Sequence, residues 1–143
     1  MNAPHRVTEP NILYFGTPVV LVSTLNPDGT ANLAPISSAF WLGWRGVIGI
    51  AASSQTTRNL MRTGECVLNL PSSDMVGYVD RIAMTTGRPD MPAYKAEMGY
   101  EYVPDKFGRA GLSEQASELI ATPRILECPI QMESRLTTAH PIG

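Results

Sequence analysis

The sequence predicts a mainly β protein with some α structure: an antiparallel β-barrel with short crossover helices, in one domain spanning residues 1–143. Three observations predict it. Residues 19–25 are an apolar, β-branched run, joined to a second strand at 30–38 through Asn26-Pro27-Asp28-Gly29. Proline presets φ there, Asp bonds back to the chain and Gly supplies φ > 0, so the two runs form an antiparallel pair. Residues 47–52 and 66–70 are further short apolar runs of strand length. Two to three short helices fall in the crossovers, and with antiparallel strands joined by a tight turn they suggest a barrel rather than a doubly wound sheet.

The elements follow in order. Residues 1–10 are polar with two prolines and read as a flexible arm. Residues 19–25 read as a buried strand. The next strand contains Pro35, which cannot donate to a ladder and so marks an edge, a bulge or a strand end. Phe40, Trp41 and Trp44 precede the strand at 47–52. Ser53 or Ser54 caps a short helix over 56–63, and Gly64 stops it. Residues 66–70 form a strand ended by Pro71. Met75, Val79 and Ile82 share one face of a helix over 74–83. Residues 84–111 are weakly periodic and read as a functional or mobile loop. Residues 113–121 read as a helix capped by Ser113. Residues 124–136 read as a strand broken at Pro129. This gives about five strands where a small closed barrel needs six or more. A strand is missed, a partner supplies it, or the C-terminal strands lie beyond this chain.

Composition narrows the function. At 143 residues the chain can bury a core. Charged residues are 17%, below the usual quarter or so, which fits either a surface covered by a second copy or a somewhat apolar monomer. Net charge is −2 with no basic run, so nucleic acid and anionic membranes are not expected partners. The N-terminus lacks a signal peptide's apolar region, and the longest apolar stretches are too short to span a bilayer. Cys66 and Cys128 read as reduced, buried thiols of a cytoplasmic protein. Motifs for a nucleophile elbow, zinc protease, P-loop or Cys-x-x-Cys pair are absent from the sequence. His5 and His140 lie in the terminal segments without metal-ligand spacing. No metal site and no side-chain catalyst is expected, which suits a cofactor that brings its own chemistry.

Two hydroxyl-rich segments are the candidate site. Ser53, Ser54, Thr56, Arg58 and Asn59 lie at a helix start, where amide N–H groups and hydroxyls can cradle a phosphate. An ordinary N-cap with an exposed Arg58 explains the same residues. Asn32, Ala34, Pro35, Ser37 and Ser38 lie at a strand end that can present backbone and hydroxyl groups to a flat polar ring. A half-buried edge strand with hydroxyls facing water explains them too. Strand pairing would bring the two segments together. The aromatic trio reads as core or dimer contact before ring stacking. Lys106 reads as a solvated loop lysine before a phosphate or carboxylate ligand.

Residues 19–40, VVLVSTLNPDGTANLAPISSAF, followed by SSQTTRNLMRTGECVLNL, resemble the flavin reductase-like proteins of the FMN-binding split-barrel class. The later segments TTGRPDMPAYKAEMGYEYVPDKFGRAGL and ATPRILECPIQMES are similar to a subgroup of the same family. The likeness covers residues 13–133. It implies a split β-barrel and FMN, in preference to FAD, held near a homodimer interface. Asn32, Ala34, Pro35, Ser37 and Ser38 would border the ring system, and Ser53, Ser54, Thr56 and Asn59 the ribityl and phosphate end. Relatives carry a basic-acidic pair where this chain has Ser54 and Gln55, leaving Arg58 as the substitute cation. The implied activity is an NAD(P)H-dependent flavin reductase or related oxidoreductase, with hydride transfer to flavin N5. Its acceptor would be a small molecule or a partner oxygenase. The alternatives are a non-catalytic flavin- or haem-binding module of the same superfamily, or an interaction domain with an empty cavity.

Overall fold

The computed structural model describes residues 4–13 and 15–142. Its centre is a four-stranded antiparallel sheet in the order β10-β5-β1-β2, formed by Ile130–Arg135, Glu65–Leu70, Val20–Leu25 and Ala31–Ile36. The expected turn closes the β1–β2 hairpin. Gly29 has φ 85° and donates to the Asn26 carbonyl at 3.0 Å, and the Asp28 carboxylate accepts from the Thr30 amide at 3.0 Å. Pro35 sits opposite Leu21 in β2, an outer strand of this sheet among the described residues, where a residue without an N–H is tolerated.

Alternation places successive side chains on opposite faces. Leu21 and Leu33 point into a core with Met75, Ile82, Phe107, Ala110 and Ile125. Val20, Val22, Cys66 and Leu68 point to the other face, against Ala39, Leu60, Trp41 and Ile48. The sheet is covered on both sides, which is why β1 is apolar along its length.

A second hairpin, β3 (Ala39–Leu42) with β4 (Arg45–Ile48), folds over the second face. Phe40 and Trp41 are therefore in a strand, and the strand expected at 47–52 begins and ends earlier. Helix α1 (Gln55–Thr63) has Ser54 as N-cap and Gly64 at φ 71° as its stop, as its sequence indicated. Helix α2 (Val76–Ala83) follows a single 3-10 turn at Ser73–Met75.

Three expectations need correction. Residues 84–111 are ordered into β6 (Thr85–Thr86), α3 (Ala93–Glu97), β7 (Glu101–Tyr102) and α4 (Lys106–Ala110), with β6 and β7 paired in parallel. Residues 113–121 form no helix. Glu114–Gln115, as β8, pairs with Arg124–Ile125, as β9, and the Glu118 and Leu119 amides donate to the Glu133 carboxylate at 2.6 and 2.8 Å. A nine-residue helix is marginal alone, and these tertiary acceptors outcompete its own carbonyls. The strand expected at 124–136 is two strands, β9 and β10, separated at residues 126–129 around Pro129. Residues 4–10 are exposed and without regular structure, and the part of the expected arm at 1–3 lies outside the described residues. Among the described residues the sheet and the β3–β4 hairpin do not join into a closed ladder. No described helix is long and apolar enough to cross a membrane. Cys66 and Cys128 are free and buried, and burial pushes both thiols up to about 11.

Candidate functional site

A cavity of ≈ 670 Å³ opens between β2, the start of α1, α2 and the 85–106 segment. Its β2 wall runs Asn32, Ala34, Pro35, Ile36, Ser37 and Ser38, and Gly49 to Ala51 continue it. Ser38 and Gly49 lie close, since the Gly49 amide donates to the Ser38 carbonyl at 2.7 Å. A Cβ at Gly49 would come within 3.1 Å of the Ser38 side chain, so the bare backbone keeps this corner open.

The second wall is the first turn of α1. Ser54, Gln55 and Thr56 line the cavity. The Ser54 hydroxyl accepts from the Thr57 amide at 3.1 Å. The Gln55 and Thr56 amides have no acceptor within the helix, as the first residues of any helix lack one. Asn32 ties this wall to β2 by donating from Nδ2 to Thr56 Oγ1 at 3.0 Å, both side chains being buried. Gly87 closes over the junction. A Cβ there would stand 2.2 Å from Asn32 Oδ1 and 3.3 Å from Gln55, so no larger residue fits without moving Asn32.

Lys106 supplies the charge. It is 3% exposed, and its Nζ donates to the Leu33 carbonyl at 2.7 Å, between the cavity-lining residues Asn32 and Ala34. Burial, and then the neighbouring Lys95 charge, pushes its pKa down to about 8. A buried ammonium with one carbonyl partner and no carboxylate is costly, and an anion in the cavity would relieve that cost. The sequence reading of Lys106 as a solvated loop lysine is corrected. Asp105 caps α4 by accepting from the Gly108 amide at 2.9 Å, and Phe107 and Ala110 are buried with Lys106. Gly87, Thr85, Thr86, Lys95 and Tyr100 also line the cavity and were not anticipated.

Of the ten residues expected at the site, Asn32, Ala34, Pro35, Ser37, Ser38, Ser54 and Thr56 line this one cavity. Ser53, Arg58 and Asn59 do not. The Ser53 carbonyl accepts from Arg88 Nη1 at 2.7 Å. Arg58 lies half-exposed on the outer face of α1 and pairs with Asp90 at 3.3 Å. That leaves it a weak, solvated ion pair in place of the expected phosphate ligand. Arg88 and Arg58 together hold the Asp90 carboxyl well below the usual carboxylate range. Asn59 is fully buried and works inside the protein. Its Nδ2 donates to Thr24 Oγ1 at 3.1 Å and Asn26 Oδ1 at 2.8 Å, while Gln55 Nε2 donates to its Oδ1 at 2.9 Å. It fastens α1 to β1 and the first turn. Of the aromatics, Trp41 packs against the core, whereas Phe40 and Trp44 are exposed, and none lines the cavity.

Comparison with known proteins gives a consistent result. A family model described as a flavin reductase-like domain matches residues 12–143. An uncharacterised protein of Bacillus subtilis, YdfE, is 39% identical over 128 residues, covering 90% of this chain and 62% of that protein. The chain spans 62%, 61% and 51% of the length of three curated relatives it matches. Among solved structures, flavoredoxin of Desulfovibrio vulgaris superposes with a TM-score of 0.78 at 20% identity, covering 96% of this chain and 69% of that one. Nitrilotriacetate monooxygenase component B from Bacillus cereus superposes with a TM-score of 0.71 at 22% identity, covering 99% and 73%. At these identities the likeness shows the fold.

Proposed function

This chain belongs to the flavin reductase-like domain family, and on that premise we propose that it binds FMN, in preference to FAD, and acts as an NAD(P)H-dependent flavin reductase or related oxidoreductase. The observation that carries the proposal is Lys106, a buried ammonium without a carboxylate partner among the described residues, set in a cavity whose lining also includes the hydroxyls of Ser37, Ser38, Ser54 and Thr56 and the start of α1.

The residues present fit a flavin nucleotide. The cavity volume falls in the range of roughly 300–1,000 Å³ common to small-molecule sites. Its polar groups are nearly all donors or hydroxyls, the chemistry that a phosphate and a polar ring edge require. Ser54, the Gln55 and Thr56 amides and the Thr56 hydroxyl would hold the phosphate end. A single helix start on the cavity favours one phosphate, hence FMN. Asn32, Ala34, Pro35, Ser37 and Ser38 would border the ring system, with Lys106 balancing negative charge along its polar edge. Bound there, the flavin would supply a two-electron acceptor, through N5, for hydride from NADH or NADPH. The chain's own part is to orient the ring against β2, to hold charge by Lys106 and to keep water off the wall made by Val79 and Ala83. No side-chain base is required.

The proposal extends to architecture and partners. We read the fold as a single split-barrel domain, with the β3–β4 hairpin as the part that turns away from the main sheet. Exposed Phe40, Leu42, Trp44 and Val47 on that hairpin favour a homodimer. Likeness to a monooxygenase component B favours a partner oxygenase, or else a small-molecule acceptor, for the electrons. Two buried thiols favour a cytoplasmic setting.

The test is a visible absorption spectrum of the purified chain, repeated after adding FMN and desalting, followed by NADH and NADPH oxidation with FMN present. A retained flavin spectrum and turnover are expected. Retention without turnover would leave a passive flavin carrier, and no retention would remove the site.

A further inference from the structure

The cavity has a second cationic element, Lys95. Lys95 and Tyr100 line its wall beside the β6–β7 pair. The Glu101 amide donates to the Met84 carbonyl at 3.0 Å, fixing this wall beside Ala83 and Thr85, whereas Gly87 at the other end abuts Asn32 and Gln55. Lys95 and Tyr100 are held side by side by the backbone. The Tyr100 amide donates to the Lys95 carbonyl at 3.0 Å after the chain reverses at Gly99, whose φ is 86°. Lys95 Nζ stands 5.3 Å from the Tyr100 ring centroid. Both residues are half-buried.

Charge points to what this wall receives. Among the described residues lining the cavity there are two ammonium groups and no carboxylate. None of the ion pairs among the described residues involves Lys95 or Lys106. Two like charges facing one cavity repel, and that cost is removed when anions enter. One flavin phosphate and ring edge answer Lys106 and the α1 start, so Lys95 is left without an answering charge. The ammonium lies over one face of the Tyr100 ring, and such a cation next to the apolar Val79 and Ala83 of the same lining suits an anion carried on a flat body, the ammonium taking the carboxylate and the apolar lining the body.

Resting on the flavin reading, we infer that Lys95 and Tyr100 form a second subsite in the same cavity, for an aromatic or conjugated carboxylate. The apolar Val79 and Ala83 behind it complete a surface suited to a flat ring.

The test is calorimetric titration of benzoate, and of its neutral isostere benzamide, into the full chain, both flavin-free and saturated with FMN. The wild type should bind benzoate at least about tenfold more tightly than benzamide, a difference of about 1.4 kcal/mol. Lys95→Met should abolish that preference, Lys95→Arg should restore part of it, and Tyr100→Leu should weaken both ligands together. Equal affinity for benzoate and benzamide in the wild type would overturn the inference. So would a preference that survives in Lys95→Met. The FMN titration reads the flavin proposal separately. Failure to bind FMN with the benzoate preference intact removes that proposal and leaves the subsite. FMN binding with no preference does the reverse.

Discussion

Replacing Lys106 with methionine removes the ammonium while keeping most of the side chain's volume. In the wild-type chain this ammonium is buried near Lys95 and has one acceptor, the Leu33 carbonyl. Its pKa falls from an ordinary 10.5 to about 8, chiefly by burial and then by Lys95. The folded protein thus releases this proton near pH 8, while the unfolded chain keeps it until about pH 10.5. The penalty is complete below pH 8 and fades as the pH rises toward 10.5. Between pH 7 and pH 10 the flavin-free wild type should therefore gain about 2–3 kcal/mol relative to Lys106→Met. Urea denaturation of both proteins across that range measures it, and the difference cancels the other titrating groups. At pH 7 the variant should be no less stable than the wild type. The lost bond to a charged donor, about 1.5–3 kcal/mol, is offset by removal of a burial cost of similar size. FMN affinity should drop at least about tenfold in the variant, and in the wild type it should weaken as pH rises through 8 and the ammonium loses its proton. Parallel pH profiles for the two proteins would refute the assignment of a buried, unpaired charge at Lys106.

Three other substitutions separate binding from scaffolding. Asn59→Ala should cost about 2–3 kcal/mol in urea denaturation, because it leaves the buried Thr24 hydroxyl and the half-buried Asn26 side chain without this partner. Its effect on FMN should vanish once the destabilisation is allowed for. Gly87→Ala should displace Asn32 from Thr56 and weaken FMN at least about tenfold, with about 1–3 kcal/mol lost in stability. Unchanged FMN affinity in that variant would mean that Asn32 is not needed at the site. Arg58→Glu should change stability by no more than about 1 kcal/mol and affect FMN and riboflavin equally. Selective loss of FMN would return Arg58 to the phosphate.

Local chemistry is what could be read directly. The Asn26–Gly29 turn, the Ser54 cap and the Gly64 stop each depend on a residue and its immediate neighbours, and each stands where the sequence put it. Residues 113–121 show the limit. Their helical pattern was real but short, and a carboxylate from β10, 14 and 15 residues away, took their amides. The site divides in the same way. Asn32 to Ser38 and the helix start could be picked out because hydroxyls cluster there in the chain.

What a polar side chain faces was not legible, because it depends on contacts across the fold. Arg58 and Lys106 are both cations near polar segments, yet one lies on the outer face of α1 with Asp90 and the other is buried against β2. Asn59 resembled a ligand donor and is an internal brace. By itself the sequence determined the hairpin, the α1 caps, the hydroxyl walls and the family resemblance, since these rest on residue type and spacing. Only the tertiary structure decided which charges share the cavity, since burial and the company of Leu33, Lys95 and Tyr100 arise when distant segments pack together.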